Sequence, residues 1–166
     1  MHMDERQVVF CKYENNEILK IDTLRLDITN SNGISYYTYK LNNDTLIYSF
    51  YKPTNNDSSI FLGGISCPLV SEKTITLSDK KFRILKYYFD IGNSVDEESS
   101  FFYNTNYGLL IGFNNGWSDL IFSMEYDSVS KALMDSILND NTGFYSIVEP
   151  PPPPPDSLMY DVYKNE

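Results

Sequence analysis

Histidine is almost missing from this chain: among 166 residues the only one is His2. This scarcity excludes the Ser-His-acid triad, the Cys-His pair and the common zinc sites that use histidine. Neither a Gly-x-x-x-x-Gly-Lys phosphate loop nor a Gly-x-Gly-x-x-Gly turn is present. We therefore predict no catalytic residues and expect a protein that is not an enzyme.

Cysteine is scarce as well, with Cys11 and Cys67 far apart and no Cys-x-x-Cys spacing. A zinc knuckle is unsupported, and two buried free thiols are favoured over a disulfide. The acidic run 96–98 could hold calcium, but the alternating spacing of a calcium loop is lacking, which favours a solvated loop tip. The sequence predicts no metal and no cofactor.

Long hydrophobic runs are also lacking. No apolar stretch approaches the roughly 20 residues that span a bilayer, so membrane insertion is not expected. No charged-then-apolar signal segment opens the sequence. A cytoplasmic location is expected if the start is native, and a secreted or periplasmic one if a signal peptide was trimmed.

Basic residues are scarce in the second part of the chain. Residues 1–91 hold eleven acidic and eleven basic side chains, whereas residues 92–166 hold twelve acids against Lys131 and Lys164. An acidic surface repels phosphate backbones and anionic lipid, so nucleic acid is disfavoured as a partner. The same field attracts basic proteins, and a basic protein partner is the prediction.

Aromatic residues are what the chain has in abundance, with 14 Tyr and 10 Phe beside a single Ala. This balance favours sheet over helix. The prediction is a mostly β fold: a single antiparallel domain of roughly nine to eleven strands, as a sandwich or partly open barrel, with one short C-terminal α-helix. The domain is expected to span 1–149, followed by a polyproline spacer at 150–155 and a tail or added edge strand at 156–166.

Three turns predict strand registers. Asn32-Gly33 and Asn43-Asp44 are typical of tight hairpins, and Asn115-Gly116 is the strongest such signal in the chain. The first two turns predict three rungs across three strands: Leu24-Leu41-Leu46, Leu26-Tyr39-Tyr48 and Ile28-Tyr37-Phe50. The third turn predicts a hairpin that pairs Phe113 with Ser118, Ile111 with Leu120, Leu109 with Phe122, Tyr107 with Met124, Gly112 with Asp119, Leu110 with Ile121 and Gly108 with Ser123.

A helix is predicted near 128–139, because Val129, Leu133 and Ile137 recur at a four-residue spacing and Asp127 or Ser128 can cap its start. It should lie on the sheet. Earlier in the chain, the basic side chains around the strand that starts near Phe82 favour a solvated strand face over an anion site. They are Lys80, Lys81, Arg83 and Lys86.

The predicted binding surface lies in the acidic part of the chain. Its candidate residues are Asp96, Glu97, Glu98, Trp117 and Asp119. We interpret them as an acidic face that meets a basic partner, as inhibitors and immunity proteins of basic enzymes do. The alternative is a carrier or recognition module with an aromatic-lined cleft for a small sugar or lipid ligand. A carboxylate-based hydrolase is the third interpretation.

Overall fold

The computed structural model describes residues 3–14, 17–91, 98–114 and 120–145. Within them the chain forms strands almost throughout, with one helix at the end. The elements are β1 (Met3–Glu14), β2 (Glu17–Ser31), β3 (Ile34–Lys40), β4 (Leu46–Pro53), β5 (Ser59–Leu62), β6 (Ile65–Leu77), β7 (Lys80–Phe89), β8 (Ser99–Asn104), β9 (Gly108–Asn114), β10 (Leu120–Glu125) and α1 (Ser128–Leu138).

The sheet is a closed antiparallel barrel. Each strand pairs with the next along the chain, and β10 closes the ring by pairing with β1, from Val9 with Glu125 to Glu14 with Leu120. The structure confirms a mostly β, antiparallel fold of ten strands with one short helix. The sheet closes into a barrel, whereas the sequence predicted either a sandwich or a partly open barrel. In the described part of the chain no helix is long and apolar enough to cross a membrane.

Two of the three predicted rungs are present. Leu26 pairs with Tyr39 and Tyr39 with Tyr48, and the neighbouring rung joins Ile28, Tyr37 and Phe50 in the same way. Asn32 and Gly33, with φ of 51° and 76°, make the turn that the sequence predicted.

The rung Leu24-Leu41-Leu46 is wrong. The β3–β4 ladder shifts after Tyr39, so that Lys40 rather than Leu41 pairs with Leu46. Asp44 takes a positive φ of 64°, as a tight turn requires. Leu41 does not extend β3, because it belongs to the β3–β4 connection, where its carbonyl accepts a hydrogen bond from the Asp44 backbone N–H. The shift leaves Leu46 55% exposed at the end of the barrel.

The register predicted for the central hairpin is also wrong. Phe113 pairs with Ile121, Gly112 with Phe122 and Ile111 with Ser123, three residues away from the prediction. Residues 115–119, which include the Asn-Gly pair, lie outside the described residues. The observed register sets the Phe122 ring over Gly112, where a Cβ would overlap it. Packing of an aromatic ring over a glycine therefore decides this register.

The barrel buries two separate apolar clusters. The inner cluster fills the middle of the barrel with aromatic and aliphatic side chains; its fully buried members include Tyr39, Tyr87, Tyr103, Leu24, Leu26 and Leu109. The outer cluster lies between the barrel wall and α1, where Leu133 and Ile137 pack with Phe102, Ile111 and Phe113. Both faces of β9 are buried as a result, and the predicted docking of the helix on the sheet is confirmed.

The helix begins with a capping box. Asp127 Oδ1 accepts the Ser130 backbone N–H at 2.8 Å, and Ser130 Oγ lies 2.9 Å from the Asp127 backbone nitrogen. This reciprocal pair satisfies donors that the first helical turn leaves open. The predicted cap at Asp127 is confirmed.

We expect Asp127→Ala to lower the free energy of unfolding by about 1 kcal/mol, because the Ser130 amide loses its acceptor. Urea unfolding checks this value, with Ser128→Ala at the neighbouring exposed position as the matched control. Equal stability of the two variants would contradict the capping role.

The sequence predicted that Lys86 lies on a solvated strand face, and this prediction is wrong. Its side chain is 2% exposed under the outer cluster, its Nζ donates to Phe144 O at 2.9 Å, and it lies 5.6 Å from the Phe102 ring centroid. Burial lowers the pKa of Lys86 to about 8, against the opposing attraction of Asp140. Lys86 thereby fixes the segment that follows α1 to the barrel wall.

Candidate functional site

The two ends of the barrel differ in chemistry. At one end, where β1 and β9 finish and β4 and β8 begin, the cavity lining is mainly aromatic. At the other end, where β4 and β8 finish, it is mainly polar and includes Arg6, Lys52 and Asp57. We call these the apolar mouth and the polar mouth. The apolar mouth is the candidate functional site.

Five aromatic rings line the apolar mouth: Phe113, which belongs to the outer cluster, and four rings of the inner cluster, one from each of four strands. These four are Phe10, Tyr48, Phe101 and Phe122. The Phe122 centroid lies 6.0 Å from Phe10, 5.8 Å from Tyr48 and 6.2 Å from Phe101. The alternation of strand side chains directs all four rings inward, above the filled middle of the barrel. They line a cavity of about 340 Å³.

A second opening meets this cavity from the side. β4 and β5 are joined by the single described pair Tyr51 with Phe61. Toward the apolar mouth the two strands diverge, and a cleft of about 510 Å³ opens between Leu46–Ser49 and the β5–β6 turn at Gly63. The cleft and the mouth share Tyr48, Ser99 and Phe101 as lining residues. A ligand in the mouth could therefore extend into the cleft.

Tyr48 lies between the two cavities, because it lines both the mouth and the cleft. Its hydroxyl oxygen is fully buried and has no hydrogen-bond partner among the described residues. Burial raises its pKa well above the ordinary tyrosine value, and the neighbouring Cys67 and Tyr39 act in the same direction, so the hydroxyl stays protonated at neutral pH. A buried hydroxyl without a partner costs free energy of roughly 1–3 kcal/mol. The ring of Tyr48, rather than its hydroxyl, therefore forms part of the surface of the mouth.

The remaining polar groups lie at the rim. Lys12 is the one charged side chain in the described lining of the mouth, with Ser99 and Asn114 beside it. The site thus combines a large aromatic surface with few polar contacts, which is the composition of small-molecule pockets in general.

Comparison with known proteins finds no matching family, no matching curated protein and no matching solved structure. The function of the chain is therefore inferred from the geometry of its own residues.

Most of the residues predicted to bind a basic partner lie in segments that the structure does not describe. Asp96, Glu97, Trp117 and Asp119 lie outside the described residues. Glu98 is described, half-buried directly before β8. The acidic binding face and its basic partner stay predictions.

Glu98 lies close enough to Tyr88 to affect its phenol. Burial, with the nearby carboxylates of Asp90 and Glu98 acting in the same direction, raises the pKa of Tyr88 to about 12. Asp90 and Glu98, on either side of the 92–97 gap, therefore bring acidic charge to the end of the barrel that holds the apolar mouth.

Sequence reasoning missed the four inner-cluster rings of the mouth as a set. Their positions span more than 110 residues of the chain, from Phe10 to Phe122. Each one is an ordinary inward-facing strand residue by pattern. The signal that could have united them was the combined register of β1, β10, β9 and β8, and the sequence-based register of β9 and β10 was wrong.

Proposed function

We propose that this protein binds a small, mainly apolar ligand in the apolar mouth. The observation that carries the proposal is a cavity of about 340 Å³ whose described lining consists of five aromatic rings and three polar side chains. This function is the small-ligand alternative drawn from the sequence, with the lipid-like class favoured over sugar.

The lining favours an apolar body. Burial of apolar surface contributes roughly 25 cal/mol per Å², and rings of Phe10, Phe101 and Phe122 offer such surface on three sides. A sugar requires several hydrogen-bond partners, and the described lining of the mouth offers few beside Lys12, Ser99 and Asn114. An aliphatic or aromatic body with a single polar group matches this lining.

The test uses the fluorescent probe 1-anilinonaphthalene-8-sulfonate, displaced by decanol in one arm and by glucose in the other. We expect saturable probe binding that decanol reverses and glucose does not. Phe10→Ala is expected to weaken probe binding about tenfold, because it removes one wall of the mouth. Tyr48→Phe should retain both the probe and decanol, because the hydroxyl that it removes is buried and the ring that lines the mouth remains.

Phe61→Ala is the matched control. The ring centroids of Phe61 and Tyr51 lie 4.8 Å apart, and Phe61 is not part of the described lining of the mouth or the cleft. Phe61→Ala therefore removes a phenylalanine ring, as Phe10→Ala does, but at a position away from the site. Equal loss of probe binding in Phe61→Ala and Phe10→Ala would contradict the proposal. Displacement by glucose rather than decanol would contradict the apolar class.

A further inference from the structure

The polar mouth is a second cavity, of about 500 Å³, at the opposite end of the barrel. Arg6 from β1 and Lys52 from β4 line it, and Asp57 is the one acidic side chain in its described lining. This is a local excess of positive charge on a chain whose net charge is −10. A positive site on an acidic protein needs a local cause, since the overall field works against anions.

Lys52 contributes a buried positive charge to this cavity. Its side chain is 5% exposed, and Nζ contacts Asp57 Oδ1 at 2.6 Å and donates to the carbonyls of Pro53 and Asn56 at 3.1 and 3.0 Å. Asp57 also pairs with Arg83 outside the cavity, so its single charge is shared between two cations. The ammonium of Lys52 is thereby fixed in place beside the cavity.

Arg6 supplies the second positive charge. Its Nη1 donates to Asn106 O in the β8–β9 connection, which holds the side chain across the opening. Its charge acts on the phenols beneath it: the guanidinium opposes the burial that raises the pKa of Tyr37. A guanidinium carries five donors in a planar fork that matches carboxylate and phosphate oxygens, and in Arg6 at least one of these donors is taken by Asn106.

A row of hydroxyls forms the wall between these cations. Ser35 Oγ donates to Asn30 Oδ1 at 2.6 Å, and the Tyr37 and Tyr103 hydroxyls lie 2.8 Å apart. Tyr103 also lies under the Lys52 ammonium, with the ring centroid 5.8 Å from Nζ. Hydroxyl hydrogens rotate toward whichever acceptor is present, so this wall can turn donors toward an acceptor-rich guest.

From this arrangement we infer that the polar mouth binds a small oxyanion, either a phosphate or the carboxylate of a small organic acid. The guest lies between Arg6 and Lys52 and accepts hydrogen bonds from the guanidinium fork and from the Tyr37–Tyr103 hydroxyl pair. The charges and donors that meet in this cavity carry the inference. It is independent of ligand binding at the apolar mouth, which lies at the other end of the barrel.

The experiment titrates the folded protein with sodium phosphate and, separately, with sodium citrate, each against sodium chloride at equal ionic strength. Binding is followed by calorimetry and by the melting midpoint. We expect saturable heat and a raised midpoint with phosphate, citrate or both, and the responding anion identifies the source. Arg6→Gln is expected to weaken binding about tenfold and Arg6→Lys about threefold, because lysine keeps the charge but loses the fork.

Two further variants keep the result interpretable. Tyr103→Phe retains the ring and is expected to weaken the anion about threefold. Arg25→Gln removes an arginine from β2 that pairs with Asp27 and Asp44 and does not line the cavity as described, and it should bind like the parent. Equal midpoint shifts with chloride, or unchanged affinity in a folded Arg6→Gln, would overturn the inference.

Discussion

Gly112→Val is expected to destabilise the barrel by about 3 kcal/mol or more. A Cβ at residue 112 would overlap Cε1 and Cζ of the Phe122 ring and lie 3.0 Å from Cδ1 of Phe101. The ring cannot retreat without opening the inner cluster or the mouth, because Phe101 and Tyr48 surround it. Chemical denaturation of the variant and the parent measures the loss.

The double variant Gly112→Val with Phe122→Ala is the decisive companion. Removal of the ring gives the new side chain room, so the two substitutions together should cost less than the sum of their separate effects by about 1 kcal/mol or more. Additive effects would show that the clash is not between residues 112 and 122, and would contradict the observed β9–β10 register.

Alkaline pH is expected to unfold the protein steeply. Tyr39, Tyr87 and Tyr103 are at most 2% exposed, and burial raises the pKa of each above the ordinary value of 10.0. The folded state keeps these phenols protonated, whereas the unfolded chain releases its protons above pH 10. Their contribution to stability is therefore complete below pH 10 and is lost as pH rises above it.

The expected size follows from proton linkage. Each such phenol removes about 1.4 kcal/mol of stability per pH unit above pH 10, and three together remove about 4 kcal/mol. Lys86 acts in the opposite direction at lower pH: its pKa is about 8 when folded and 10.5 when unfolded, so its penalty disappears between these values. Stability should therefore rise by about 1 kcal/mol for each pH unit from pH 8 toward pH 10 and then fall.

Urea unfolding at a series of pH values, with tyrosinate absorbance recorded in parallel, checks this profile. Tyr87→Phe should reduce the alkaline slope by about 1.4 kcal/mol per pH unit, because one buried phenol is gone. Tyr36→Phe is the control at an exposed tyrosine, 41% accessible, and should keep the parent slope. Gradual release of tyrosinate without unfolding would contradict the buried state of these hydroxyls.

Local signals predicted the first half of the barrel well. In β2, β3 and β4 the turn at Asn32-Gly33 and the alternation of Leu26 and Ile28 indicate the same register, and both are local features. The helix was predictable for the same reason, since its cap at Asp127 and its apolar spacing agree.

The β9–β10 register and the site could not be predicted in this way. At Gly112 the deciding contact is with Phe122, a tertiary fit that no turn preference records. The turn at Ser78 and Asp79, with φ of 46° and 68°, is not among the three predicted turns, because neither residue is the glycine that usually takes a positive φ. Burial of Lys86 depends on the segment after α1, which the strand's own pattern does not reveal.

Isotope-filtered nuclear Overhauser spectroscopy of the labelled protein with unlabelled decanol shows directly whether an apolar ligand binds in the apolar mouth. We expect cross-peaks from the alkyl chain to the rings of Phe10, Tyr48 and Phe101, which line one cavity although they lie far apart in sequence. Cross-peaks confined to Phe144 and Tyr145 on the outer cluster, or none from a folded protein at saturating decanol, would contradict binding in the apolar mouth.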